Sequence, residues 1–106
     1  MNIEIAKLYF ESWSNKDLNR LDELLSDDCI LEDWEIRLTS KKEIKDHNEN
    51  FFNENEVKLE IIEILELNDS VSAKIEIFIN DKKIKINEKL NFKKGLINYI
   101  FAEKIE

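Results

Sequence analysis

The chain has no proline and only one glycine (Gly95), one cysteine (Cys29) and one histidine (His47). A single glycine leaves no glycine-rich loop to cradle a phosphate. A single cysteine forms no internal disulfide, which fits a reducing, cytoplasmic setting. Cys29 lies in an apolar stretch with no activating base beside it, so it reads as a packed core thiol. One histidine, with no HExxH or CxxC spacing, predicts no metal site and no metal cofactor. No apolar run is long enough to span a membrane, and Met1-Asn2-Ile3-Glu4 lacks the basic start of a signal peptide. Basic charge is also in short supply. Against 24 acidic residues stand 16 Lys and Arg, for a net charge of −8. That balance argues against a nucleic-acid groove, so neither nucleic acid nor membrane is expected as a partner. The one cationic cluster, Lys82-Lys83-Ile84-Lys85, alternates with apolar residues and reads as the solvent face of a strand.

A length of 106 residues predicts one domain, 1–106, with one core. Three helices open it. Residues 2–14 place Ile5, Leu8, Tyr9, Ser12 and Trp13 along one helical face. Asn15-Lys16-Asp17 breaks that helix, and Asp17 or Asn15 caps a second one that ends near Leu25 and offers Leu18, Leu21, Leu24 and Leu25 to the core. Ser26-Asp27-Asp28 leads into a strand from Cys29 to about Arg37. Ser40 and Glu43 form a capping box for a third helix, whose inward stripe is Ile44, His47, Asn48, Phe51 and Phe52. From Glu56 onward the pattern is strand. Val57, Leu59 and Ile61 alternate, then Ile62 and Ile64 take over, a phase slip that predicts a β-bulge and a bent sheet. Asn68-Asp69, Asn80-Asp81 and Lys93-Lys94-Gly95 turn the chain between long antiparallel strands. The fold class is therefore α+β, three helices packed on a strongly curved, mainly antiparallel sheet that encloses a pocket.

Within the alternating run Ile84 to Phe92, Glu88 falls on the buried phase between Ile86 and Leu90. A carboxylate there is paired, protonated or facing a cavity, unless the pattern simply lapses near a sheet edge. Tyr9 lies on the buried stripe of the first helix. Asp33 shares its phase with Cys29 and Leu31, but the opposite phase carries Ile30, Trp34 and Ile36, so either side of that strand could face inward. His47 and Asn48 add polar groups on the third helix, where a lone histidine is more often a hydrogen-bonded core residue than a catalyst.

Residues 8–34 resemble the opening of the nuclear transport factor 2-like (SnoaL-like) superfamily. They carry an aromatic helix, an Asn-Lys-Asp-Leu joint, a Leu-Leu-Ser-Asp-Asp helix end and Leu-Glu-Asp at the first strand. The closing hairpin, Glu88 to Lys104, resembles that family's C-terminal end. The resemblance implies a cone-shaped fold with a pocket and is poorly specific for activity. Its nearest functional template is ketosteroid isomerase, with an aspartate base, and a tyrosine and a protonated carboxylic acid as oxyanion hole; these roles are carried over by resemblance. By motif the base falls on Asp33, the tyrosine on Tyr9 and the acid on Glu88, one methylene longer than the usual aspartate. Trp13, Trp34, His47, Asn48 and Phe51 are the implied ligand-binding residues. Trp34 replaces a proline after the base, His47 and Asn48 stand where aromatic residues meet the steroid, and the Asp33–Ser40 loop is short. These departures imply a smaller or more polar pocket, unsuited to a flat steroid.

Two classes of function follow. One is a cofactor-independent isomerase-, cyclase- or dehydratase-like enzyme with Asp33 as general acid–base on a small carbonyl compound. The other is a non-catalytic ligand-binding or dimerisation module. Phe78, Tyr99 and Phe101 lie off the core phase or near the last strand, which suits a homodimer through the sheet.

Overall fold

The computed structural model describes residues 1–105; Glu106, the last residue of the expected domain, lies outside the described residues. Helix α1 spans Asn2–Ser14, α2 Leu18–Glu23 and α3 Lys41–Glu54. Strands are β1 (Leu25–Glu32), β2 (Arg37–Leu38), β3 (Val57–Glu66), β4 (Ser70–Ile79), β5 (Lys82–Lys93) and β6 (Leu96–Lys104). They form one sheet in the order β2-β1-β6-β5-β4-β3, antiparallel throughout except where β1 runs parallel to β6. Among the described residues, no helix is long and apolar enough to cross a membrane.

The joints behave as short-range chemistry dictates. Asp17 caps α2 by accepting a hydrogen bond from the Arg20 N–H at 3.1 Å. Ser40 caps α3 by accepting from the Glu43 N–H at 3.1 Å, while Glu43 Oε1 reaches back to the Thr39 N–H (2.8 Å), one residue short of a strict capping box. The other end of α3 is closed by Lys16, whose Nζ donates to the carbonyls of Phe52 (3.1 Å) and Asn55 (2.6 Å). A cation there meets the negative end of the helix dipole. The last hairpin turns through Lys94 (φ 55°) and Gly95 (φ 79°), the paired positive φ values of the tight hairpin turn that suits twisted strands.

Besides an irregularity between Leu25 and Ile30 where β1 meets β6, two bulges lie in the antiparallel part of the sheet. Ile61 pairs with Ile75 and Glu63 with Lys74, so Ile62 is the extra residue, at the position where the hydrophobic phase slips. A second slip, Asn91 with Tyr99 and Phe92 with Ile97, leaves Asn98 extra on β6. The helices lie against one face of the bent sheet. The core between them includes Phe10, Leu21, Leu25, Ile44, Ile75, Leu90 and Ile100, each no more than 2% exposed.

Several expectations are corrected. The buried stripe of α1 is Ala6, Tyr9, Phe10 and Ser12, with Ile5 and Leu8 only half-buried, so the helix is rotated toward Phe10. Helix α2 stops at Glu23, and Leu25-Ser26-Asp27-Asp28 already belongs to β1, drawn into the sheet by pairing of Leu25 with Ile97. At its other end β1 stops at Glu32 and does not continue to Arg37. Asp33 ends it because its side chain offers the backbone a competing set of hydrogen bonds. Its Oδ1 accepts from the N–H groups of Glu35 (2.7 Å) and Ile36 (2.9 Å), and the chain folds back as β2, pairing Leu38 with Leu31. Of the three aromatics expected on the outer face, Phe101 is exposed, Phe78 is half-buried, and the Tyr99 hydroxyl donates to Glu32 Oε1 at 2.8 Å.

Candidate functional site

The concave side of the sheet and the helices enclose a cavity of about 440 Å³. Helix α1 contributes Tyr9, Phe10 and Trp13 to its wall, and α3 contributes His47, Asn48 and Phe51. The turn after β1 brings Asp33 and Trp34, and the sheet brings Glu88, Ala102 and Lys104. All eight side chains singled out in the sequence line this one cavity. A concave, mostly apolar chamber with a few convergent polar groups is the usual form of a small-molecule site.

Glu88 is 8% exposed and has no ion-pair partner among the described residues. Burial, reinforced by the negative charge of Asp33, pushes its carboxyl from the ordinary 4.5 up to about 8. At neutral pH it is therefore mostly a protonated acid and a hydrogen-bond donor. Its neighbours on the two flanking strands are Ala73 and Ala102, so no bulky side chain covers it along its own row of the sheet. Tyr9 is 2% exposed, and its hydroxyl is pushed well above its ordinary range by burial and then by Glu88 and Cys29, with a hydrogen bond from Trp13 acting the other way. It too remains a neutral donor.

Asp33 is half-buried on the turn and is held by the two backbone N–H groups that meet Oδ1, which fixes the orientation of Oδ2. The choice between the two phases of this strand is settled by the turn itself, because Asp33, Trp34 and Ile36 all reach the cavity once β1 has ended. Trp34 forms the rim, 43% exposed, with Lys104 Nζ 5.9 Å from its ring centroid. Trp13 is wedged against Phe52 (4.8 Å between centroids, nearly perpendicular) and Phe51 (5.7 Å), and the His47 ring stacks on Phe51 at 6.4 Å. Asn48 is 2% exposed, and its Oδ1 has no hydrogen-bond partner among the described residues. Cys29 is fully buried in the core, its thiol pushed up to about 12 by desolvation and then by Asp28. Among the described residues, no three His, Cys, Asp or Glu side chains are grouped to hold a metal ion.

Sequence reasoning overlooked Phe10 and Lys104. Both had a signal: Phe10 follows Ala6 at helical spacing, and Lys104 continues the alternation Ile100, Ala102 on the inner face of β6.

Three helices against a bent, mainly antiparallel sheet, with the pocket between them, define the nuclear transport factor 2-like fold. The SnoaL-like domain model matches residues 6–87, and the chain belongs to that family. Among solved structures it is similar to a provisional ketosteroid isomerase from Kribbella flavida DSM 17836, at a TM-score of 0.90 and 17% identity over 97% of this chain and 76% of that one. It is similar also to a protein of ketosteroid isomerase-like fold from Catenulispora acidiphila DSM 44928 in complex with trimethylamine (TM-score 0.84, 16% identity, 93% of this chain and 83% of that one). A third is an LEH-like epoxide hydrolase of M. tuberculosis (TM-score 0.82, 14% identity, 96% of this chain and 80% of that one). At such identities the likeness shows the fold alone. No curated protein matches the chain.

Proposed function

We propose that the pocket performs cofactor-independent acid–base chemistry on a small carbonyl compound, as an isomerase-, cyclase- or dehydratase-like enzyme. Asp33 takes a proton from the carbon beside the carbonyl. The negative charge that develops on the carbonyl oxygen is met by two donors, the Tyr9 hydroxyl and the protonated carboxyl of Glu88. Asp33, half-buried and able to exchange its proton with water, then returns a proton to another carbon of the substrate, so the step is balanced as an isomerisation. The observation that carries this reading is Glu88, a buried carboxyl that keeps its proton to about pH 8 in a cavity shared with Tyr9 and Asp33. A carboxylic acid with no ion-pair partner has little structural use there, but as a neutral donor it suits an enolate oxygen.

The test is proton exchange in D₂O, followed by NMR, for a set of small enolisable ketones. Deuterium should enter the α-position in the presence of the protein. Asp33→Asn should abolish the exchange while keeping the turn, since its amide oxygen can still accept from Glu35 and Ile36. Glu88→Gln should weaken it less, because an amide can still donate. Exchange that survives Asp33→Asn would sink the proposal.

A second reading, binding without turnover, is favoured by one specific feature: Asp33 Oδ1 is already engaged as in an ordinary turn. Ligand binding that is unaffected by Asp33→Asn, with no exchange, would establish it. With either function we propose a cytoplasmic homodimer through the outer sheet face, where Phe101 is 37% exposed between Glu32 and Lys89. Sedimentation of wild type against Phe101→Ser tests this, the variant shifting to monomer.

A further inference from the structure

Along β5 and along α1 the cavity wall changes from polar to apolar in the same direction. The inward row of β5 runs Glu88, Ile86, Ile84, and its partners on β4 are Ala73, Ile75 and Ile77. Tyr9 lies close enough to feel the charge of Glu88. One turn further along α1, Trp13 meets Phe51 of α3 at 5.7 Å between centroids, with the His47 ring stacked on the same Phe51. The next residue, Ser14, accepts a hydrogen bond at its Oγ from the Leu59 N–H at 3.2 Å, and Leu59 pairs with Ile77, which pairs with Ile84. Both elements thus lead from Tyr9 and Glu88 to the same apolar end. The charges at the rim, Asp33, Glu35 and Lys104, stand on the opposite flank, in the turn after β1 and at the end of β6. Trp13, Phe51, Leu59 and Ile84 line the cavity and are only half-buried, whereas Tyr9 and Glu88 are buried. Apolar surface left uncovered in this way gains from an apolar occupant.

We propose that the ligand is a neutral carbonyl compound with an extended apolar chain, its carbonyl oxygen at Tyr9 and Glu88 and its chain laid along β5 toward Ile84. This rests on the carbonyl-binding reading above and narrows it to medium-chain ketones and enones. Residues on one face of a strand follow one another at about 7 Å, so Ile84 lies about 14 Å from Glu88, the reach of a chain of roughly ten carbons. A short ketone leaves the apolar end uncovered. A fatty carboxylate fits the chain but brings its negative charge to the place where Glu88 already feels that of Asp33.

The experiment measures affinities, by NMR titration, for 2-butanone, 2-hexanone, 2-octanone, 2-decanone and decanoate. Each buried methylene is worth roughly a four-fold gain at most, so 2-decanone should bind about a hundred-fold or more tightly than 2-butanone. Decanoate should bind more weakly than 2-decanone. In methyl-labelled protein, the terminal methyl of bound 2-decanone should show nuclear Overhauser contacts to Ile84, and the methyl beside its carbonyl to Tyr9. Ile84→Thr should shrink the ratio of the 2-decanone to the 2-butanone affinity five-fold or more. A gain that stops at 2-hexanone, decanoate binding as tightly as 2-decanone, or reversed methyl contacts would each overturn the inference. So would an equal loss for both ketones in Ile84→Thr, and the contacts in wild type decide the matter should that variant not fold. Failure of every ketone to bind would overturn it together with the carbonyl reading. The two remain separable otherwise: the chain-length gain and methyl contacts without α-proton exchange sink only the acid–base chemistry, and exchange without them sinks only the placement of the chain.

Discussion

Glu88 on β5 stands directly opposite Ala102 on β6, and both line the cavity. Ala73 occupies the matching place on β4. Two of the three alanines in the chain thus flank the one buried carboxyl of the sheet. Elsewhere the inner rows hold mostly isoleucine, leucine, valine and phenylalanine, and it is this local shortage of bulk that leaves Glu88 facing open space.

Ala102→Leu should fill that space. Three added carbons beside Glu88 are expected to lower the affinity for any ligand that reaches the carboxyl by ten-fold or more. The fold should tolerate the change, since it adds apolar volume to a cavity that is already present. Calorimetric titration with a binding ketone, alongside a thermal melt, checks both halves of the statement.

The raised pKa of Glu88 ties stability to pH with a definite sign. Between the ordinary 4.5 and about 8 the folded chain holds a proton that the unfolded chain has released. Stability therefore falls as pH rises through that window, by roughly 3–5 kcal/mol in total, and levels off above it. Urea midpoints at pH 5, 7 and 9 should show this decline for wild type. In Glu88→Gln, which has no proton to lose, the share of the slope due to this site should vanish.

Asp33 is the second cause of the Glu88 shift, after burial. Asp33→Asn should therefore lower the Glu88 midpoint from about 8 and still leave it above 4.5, because desolvation persists. Carbon-detected NMR of the Glu88 carboxyl in the two proteins reads this directly. An unchanged midpoint would mean that the two carboxyls do not sense each other.

Lys16 ties the α1–α2 joint to the end of α3 through the Phe52 and Asn55 carbonyls. Lys16→Ala removes two charge-assisted hydrogen bonds at a helix C-terminus and should cost about 1–2 kcal/mol. Lys16→Met, which keeps the stem, should cost nearly as much, since the loss lies in the ammonium group. Chemical denaturation compares the three. Because α3 carries His47, Asn48 and Phe51, weaker ligand binding should accompany the loss.

Much of the fold was legible because each signal was local. The Ser40 and Asp17 caps, the positive-φ turn at Gly95 and the phase slip at Ile61-Ile62 depend only on near neighbours in the chain. Element ends were harder to place. The Ser26-Asp27-Asp28 run looks like a helix end followed by a loop, yet it lies within β1 because a distant strand, β6, pairs with Leu25 before it and Ile30 after it, the run itself filling the irregular stretch between. Asp33 looked like a strand residue because alternation does not reveal that its carboxylate will capture two backbone N–H groups and stop the strand.

The sequence by itself determined which residues would be buried on β4 and β5, since side chains that alternate on a strand carry their own record of which face meets the core. It determined that Glu88 sits on the buried face, and that three helices precede the long strands. Only the tertiary structure decided what that burial means. Glu88 keeps its proton because the sheet sets alanines on both sides of it, withholds any cation and brings Asp33 within reach of its charge. Such facts arise from which elements meet across the cavity, and contacts between residues dozens of positions apart leave no periodic trace in the chain.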